Sequence, residues 1–331
     1  MLRDDIYRRV GTIEQLYGIK DYTLNSAKES GMRVIEVYNS KGLSFDILAD
    51  RGMDIANLKY NGKNISFLSN TGLVSSKYFE EISSEGFMRN FYAGFLTTCG
   101  LSYMGEPCID EGRELGLHGR ISNTPSRITQ IEVIEDNNII LVKGIVKESE
   151  VFGPHLTIER TITLNIDSNK FLIKDKVKNH GFERVPLMIL YHMNIGYPFL
   201  DENLIIGLDS YDVVPRDEVS KLDIEKYLQV EAPKDGISEK VYFHQIKPYK
   251  GTGRISLFNK LLKFGLEISY LVDNLPYFTQ WKSMRSGEYV MGFEPGNCNV
   301  LGRSKAKEKE ILEYIEARET KEYSISVEIK E

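Results

Sequence analysis

The chain has 331 residues, 41% of them hydrophobic, enough apolar mass to bury a sizeable core in one large or two smaller domains. A formal net charge of −6, with Lys and Arg scattered along the chain, argues against a nucleic-acid binder, whose footprint is a basic patch or stripe. The opening MLRDDIYRRV lacks the apolar core of a secretory signal, no apolar run approaches the roughly 18 residues of a membrane span, and three cysteines without CxxC spacing (Cys99, Cys108, Cys298) fit a reducing cytoplasm rather than a disulfide framework or zinc site.

Residues 1–24 are mixed and charged, and Asp4–Leu16 is predicted as a short helix or an arm. From there the pattern has a period of two. Met32–Tyr38 and Leu43–Leu48 read as a hairpin across Asn39-Ser40-Lys41-Gly42, and Ile55–Tyr60 runs into the Asn61-Gly62 turn. Further short strands are predicted at Ile128–Glu135, Ile139–Val146, Leu156–Ile166 and Lys170–Asn179, separated by turn residues. The pattern continues at Val185–Asn194, Asn203–Leu208, Arg254–Asn259 and Leu266–Leu271, then at Tyr277–Lys282, Glu288–Phe293 and Tyr323–Ile329. Helical periodicity is confined to the short stretches Tyr78–Gly86 and Ile224–Leu228. The Lys305–Glu310 run alternates in sign and reads as a solvated loop or edge. Many short strands with turn signals predict an all-β, antiparallel β-sandwich with few short helices, rather than βαβ units. No linker or composition shift divides the chain, so 1–331 is read as a single domain, with 1–24 as a candidate N-terminal arm.

Five histidines are present. His118, in Gly116-Leu117-His118-Gly119-Arg120, and His192, before Gly196 in an aromatic-rich segment, are the candidates for chemistry, because flanking glycines let a ligand approach the backbone. His155, His180 and His244 read as turn or structural residues. HxH, HxxxH and HExxH spacings are absent, as are a phosphate-binding glycine loop and a G-x-S-x-G elbow, so no metal and no organic cofactor is expected. What remains is acid–base chemistry. Tyr289–Phe293 reads as a strand that delivers Glu294 to its mouth and stops at Pro295-Gly296, a place for a general base. The only tryptophan, Trp281, stands between Gln280 and Lys282, and a flat aromatic face beside an amide and a cation suits a sugar ring.

Five segments taken together resemble the aldose 1-epimerase (galactose mutarotase-like) superfamily, and within it the DUF4432 family. They are LADRGMDI (Leu48–Ile55), AGFLTTCGL (Ala93–Leu101), LGLHGRISNTP (Leu115–Pro125), YHMNIGYPFLD (Tyr191–Asp201) and the stretch Leu275–Arg303 that ends in FEPGNCNVLGR. The resemblance implies a many-stranded supersandwich and an anomer-interconverting isomerase. It implies Glu294 as the base that takes the anomeric hydroxyl proton, His192 as the acid that protonates the ring oxygen, His118 as a sugar-binding neighbour, and Arg51 as an orienter of hydroxyls. The partner so implied is a small-molecule sugar or sugar derivative, and a homodimer is an admissible assembly. Two departures stand out. The better-known mutarotases carry an Asn-His-Thr-Tyr-Phe-Asn-Leu type motif where this chain has Tyr191-His192-Met193-Asn194-Ile195-Gly196-Tyr197, and their sugar-binding aspartate has only Asp273 as a candidate here. Lys282, Arg120 and Arg303 are candidates to favour an anionic sugar. Two alternatives stay open: a carbohydrate-binding or sensing protein without turnover, and a polysaccharide lyase or hydrolase, for which no second acid pairs with Glu294.

Overall fold

The structure is a computed structural model that describes residues 3–81 and 83–331. Two large antiparallel sheets lie face to face. The eight-stranded sheet runs Ser126–Ile134, Ile139–Ser149, His155–Asn165, Lys170–Asn179, Thr320–Lys330, Phe264–Leu271, Thr252–Asn259, Leu204–Leu208. The larger sheet has eleven strands, and at its centre Asp54–Tyr60, Leu96–Leu101, Met188–Ile195, Glu288–Gly296, Tyr277–Arg285 and Lys240–Ile246 lie side by side in that order.

Alternation explains why these segments pair as they do. In His155–Asn165, Leu156, Ile158, Ile162 and Leu164 point inward and their neighbours do not, so a register slip of one residue would turn the apolar row to solvent. The inward rows of the two sheets close over one core, in which the Phe45 and Phe171 rings approach to 4.6 Å between centroids.

One inward position breaks the apolar rule. Arg160 lies fully buried in the row and pairs across its sheet with Asp175, at 2.7 Å, and with Asp54 of the opposite sheet, at 3.0 Å. Tyr191 donates to Asp175 and Thr98 to Asp54, so the charged groups are surrounded by partners. An ion cluster of this kind adds little net stability over apolar residues, but loss of one member strands the others in a low dielectric. It clips the two sheets together directly beneath the strand that carries His192.

The predicted strands are present, mostly with ends shifted by one to three residues. Val185–Asn194 is divided into Val185–Pro186 and Met188–Ile195. Among the described residues, four strands longer than three residues are additional: Gly18–Thr23, Leu96–Leu101, Ser210–Pro215 and Lys240–Ile246. Gly18–Thr23, within the expected arm, pairs with Arg33–Tyr38 at the sheet edge. Leu96–Leu101 is buried on both faces, and its Thr97 and Thr98 hide the alternation that marks a half-exposed strand. The Tyr78–Gly86 helix lies later, at Glu85–Asn90, where Phe87 and Asn90 turn inward. Asp4–Leu16 holds a helical turn at Arg3–Tyr7 and a 3-10 turn at Ile13–Gln15, and Ile224–Lys226 is a 3-10 turn. Arg303–Glu308 is a short helix, so the alternating-sign run is partly helical. Glu294 also sits differently from expectation. The strand continues through Pro295 to Gly296, with Pro295 opposite Phe278, so the acid lies inside the sheet rather than at its mouth. Among the described residues, no helix is long and apolar enough to cross a membrane.

Candidate active site

The register of four neighbouring strands builds the site. His192 pairs with Thr97, and Glu294 pairs with Thr279. On the shared ladder Leu190 faces Gly296 and Met193 faces Phe293, which places His192 directly opposite Glu294. Directly opposed residues on one face hold their side chains about 5 Å apart at Cβ. The next row on that face is Asn194, Gly292, Trp281 and Val241. Gly292 lies at its centre for lack of room: a Cβ there would stand 2.6 Å from Glu294 Oε1 and 3.2 Å from His192 Cε1.

Above this floor is a cavity of about 130 Å³. Glu85–Asn90 and the residue after it supply Phe87, Met88 and Phe91 as a roof, and His118 enters from the Leu117–Gly119 turn. Phe91 and Trp281 meet the His192 ring edge to face, at 5.4 and 5.5 Å, and Phe87 lies tilted against His118 at 5.1 Å. His118 itself has φ +59 and its backbone spans Gly105 and Gly100, so the turn presents the imidazole without freedom to swing away.

His192 Nε2 lies 3.2 Å from Glu294 Oε1, both nearly solvent-free, but outside hydrogen-bonding geometry. Burial holds the Glu294 carboxyl well above the usual carboxylate range; Glu239 adds to the rise and Arg216 opposes it. Burial, with a contribution from His118, pushes His192 down to about 3, and burial alone pushes His118 down to about 4. Burial thus disfavours the charged form of both members of the pair. Three buried polar atoms here lack a partner: Glu294 Oε1 and the Nδ1 atoms of His118 and His192. Stranded polar atoms are costly, and all three belong to side chains that line the one cavity.

Of the predicted site residues, Glu294, His192, His118 and Trp281 come together. Gln280 and Lys282 do not. Alternation along Tyr277–Arg285 turns them to the other face, where Gln280 bonds His244 and the Tyr227 carbonyl, and Lys282 donates to the Lys226 and Gln229 carbonyls at 2.7 Å each. Arg51 is fully buried with its guanidinium spent on the carbonyls of Val74, Asn90 and Ser122, so it ties down the roof segment and meets no sugar. Arg120 pairs with Glu81 and Arg303 with Asp110, away from the cavity. Asp273 is exposed in the turn before Tyr277 and lines nothing here. The cations that favoured an anionic sugar are thus all engaged elsewhere. Of the three histidines read as structural, His244 is buried against Gln280 and His180 bonds Thr157.

The structure adds Arg216, Glu239 and the roof phenylalanines. Trp281 Nε1 donates to Glu239 Oε2 at 2.6 Å, and Arg216 reaches Glu239 Oε1 at 3.2 Å, which fixes the indole plane. Glu239 pairs with no neighbour in sequence, and nothing in its local pattern marks it. Gly292 was legible as a glycine within a strand, which signals a close approach of other groups. Among the described residues, no three His, Cys, Asp or Glu side chains gather as metal ligands.

Among solved structures the chain is similar to a Klebsiella pneumoniae protein provisionally named an aldose 1-epimerase, at TM-score 0.90 and 21% identity, covering 95% of this chain and 83% of that one. It is also similar to a galactose mutarotase-like protein from Clostridium acetobutylicum, at TM-score 0.69 and 13% identity over 96% and 99% of the two chains. A galactose 1-epimerase from Lactobacillus acidophilus matches at TM-score 0.60 and 11% identity over 95% and 99%. At these identities the likeness is one of fold. No curated protein matches the sequence. The profile of a domain of unknown function, DUF4432, spans residues 29–329, and the chain belongs to that family, built on the β-sandwich of the galactose mutarotase-like proteins.

Proposed function

We propose that this protein is an aldose 1-epimerase-like isomerase that interconverts sugar anomers by acid–base chemistry. The observation that carries the reading is the buried pair His192 and Glu294, opposed across two strands with Nε2 and Oε1 3.2 Å apart, on the floor of an aromatic-walled cavity. Aromatic walls suit the apolar C–H faces of a pyranose, and the polar side chains of His118, His192 and Glu294 among them suit its hydroxyls.

Glu294 takes the proton of the anomeric hydroxyl while His192 gives one to the ring oxygen. The bond from C1 to the ring oxygen breaks as the C1 carbonyl forms, the aldehyde turns about C1–C2, and the reverse transfers close the ring on its other face. Before opening, the pair's proton is on His192; afterwards it is on Glu294. The neutral pair that burial favours is therefore the protonation state reached on opening, and the reverse transfers on closure return the proton to His192. His118, kept neutral by burial, can donate to or accept from a hydroxyl beside the reacting centre. The three cysteines are free thiols, consistent with a cytoplasmic site of action on soluble sugars.

Saturation-exchange NMR of anomer interconversion over a panel of aldoses tests this. The wild type exchanges at least one sugar about 10²-fold or more faster than Glu294→Gln and His192→Asn. Equal rates in all three proteins would overturn the proposal. Sugar binding that is unchanged in Glu294→Gln, without exchange in the wild type, would point instead to a binding protein.

A further inference from the structure

The catalytic cavity does not end at Trp281. A second cavity, of about 480 Å³, lies against the same wall, and the two share Met88, Phe91, Glu239 and Trp281. The inner cavity, at about 130 Å³, falls below the roughly 300–1,000 Å³ of typical ligand sites, whereas the two together fall within that range. The inner space alone is a tight fit for one ring.

The outer cavity has the chemistry of a carbohydrate subsite. Side-chain hydroxyls and amides from Ser69, Asn70, Thr71, Ser238 and Ser283 line it. Ser69 and Thr71 also hold the Phe91 carbonyl, at 2.6 and 3.3 Å, so the hydroxyls that face the outer space brace the aromatic partition. Its two charged residues beyond Glu239, Arg285 and Glu288, lie 3.5 Å apart as a pair. Among the described residues lining the two cavities, no unpaired cation offers itself to a phosphate or sulfonate, because in the inner cavity Arg216 is held between Asp217 and Glu239.

Resting on the anomer-exchange reading above, we infer that the substrate is a neutral reducing disaccharide or longer oligosaccharide. Its reducing ring enters the inner cavity, and its next ring lies in the outer one. The anomeric hydroxyl must be free at Glu294 and His192, so the second ring hangs from another hydroxyl of the reacting sugar and passes the Trp281–Phe91 wall. The Glu239 carboxylate, already bonded to Trp281 and Arg216 and bordering both spaces, is placed to accept a hydroxyl near the linkage.

Two measurements test the inference. In NMR exchange, glucose, galactose and glucose 6-phosphate are compared with cellobiose, maltose and lactose. In calorimetry, the same sugars are titrated into Glu294→Gln. At least one disaccharide is expected to bind and exchange about tenfold better than its reducing-end monosaccharide, as one or two hydrogen bonds and an aromatic contact would give. Ser238→Trp, which fills the outer space, is expected to bring that ratio toward one; Asn70→Trp fills it from the other wall should the first variant not fold. The inference is overturned if monosaccharides match every disaccharide, if the filled variants keep the ratio, or if a sugar phosphate outperforms the neutral sugars. Absence of exchange with any sugar overturns the isomerase reading, and the calorimetric ratio then decides the second subsite by itself.

Discussion

Gly292→Ala separates the geometry of the candidate site from the stability of the sheet around it. An alanine Cβ at this position would lie 2.6 Å from Glu294 Oε1, 3.1 Å from Trp281 Cβ and 3.2 Å from His192 Cε1. Ordinary contact begins near 3.4 Å, so the carboxylate must retreat by about 0.8 Å. The backbone is not in a glycine-only conformation, the closest atom is the far end of a side chain, and Trp281 Cβ and His192 Cε1 need give only by a few tenths of an ångström, so the fold accommodates the methyl at a cost of about 1 kcal/mol. Catalysis does not accommodate it so easily, since a misplacement of about 1 Å can cost about 10²-fold. The assay pairs urea unfolding with NMR anomer exchange on the best sugar of the panel. The expected result is a near-native unfolding midpoint with exchange reduced about 10²-fold. A folded Gly292→Ala protein that exchanges at the wild-type rate would refute the reasoning, because the position of Glu294 would then have no bearing on the reaction.

Lys282→Met tests the removal of this lysine from the sugar site. Its ammonium holds the Lys226 and Gln229 carbonyls beneath the sheet, so its loss is expected to cost about 2–3 kcal/mol in urea unfolding while leaving sugar affinity by calorimetry within about twofold. Weakened sugar binding at native stability would return it to the site. Acid should also destabilise the protein through His244, which burial pushes down to about 4. Above about pH 6.5 the residue is neutral whether folded or unfolded; below that the unfolded chain takes up a proton that the native one refuses. Its share of stability is therefore lost as pH falls from about 6.5 toward about 4, by up to about 1.4 kcal/mol per pH unit. Urea unfolding at pH 7, 6 and 5 should show a shallower loss in His244→Gln than in the wild type, and parallel pH profiles would contradict the assignment.

The sequence by itself determined the fold class, because period-two alternation is imposed locally by the pleat and can be read wherever one face is wet. His155–Asn165 and Lys170–Asn179 are legible for that reason; Leu96–Leu101, dry on both faces, is not. The sequence also singled out Glu294, His192, His118 and Trp281, each a rare or chemically apt residue in a distinctive setting. What it could not determine was the side of the sheet. Trp281 and its neighbours Gln280 and Lys282 are one ladder step apart, and that step sends the indole to the cavity and the amide and ammonium to the opposite face. Whether Arg51 meets a sugar or a ring of carbonyls depends on chain segments 23 to 71 residues away. Glu239 joins Trp281 only through the pairing of Lys240–Ile246 with Tyr277–Arg285. Only tertiary structure decided these matters, because strand register and strand neighbours are set by the closing of the whole core, whereas alternation is written in each strand alone.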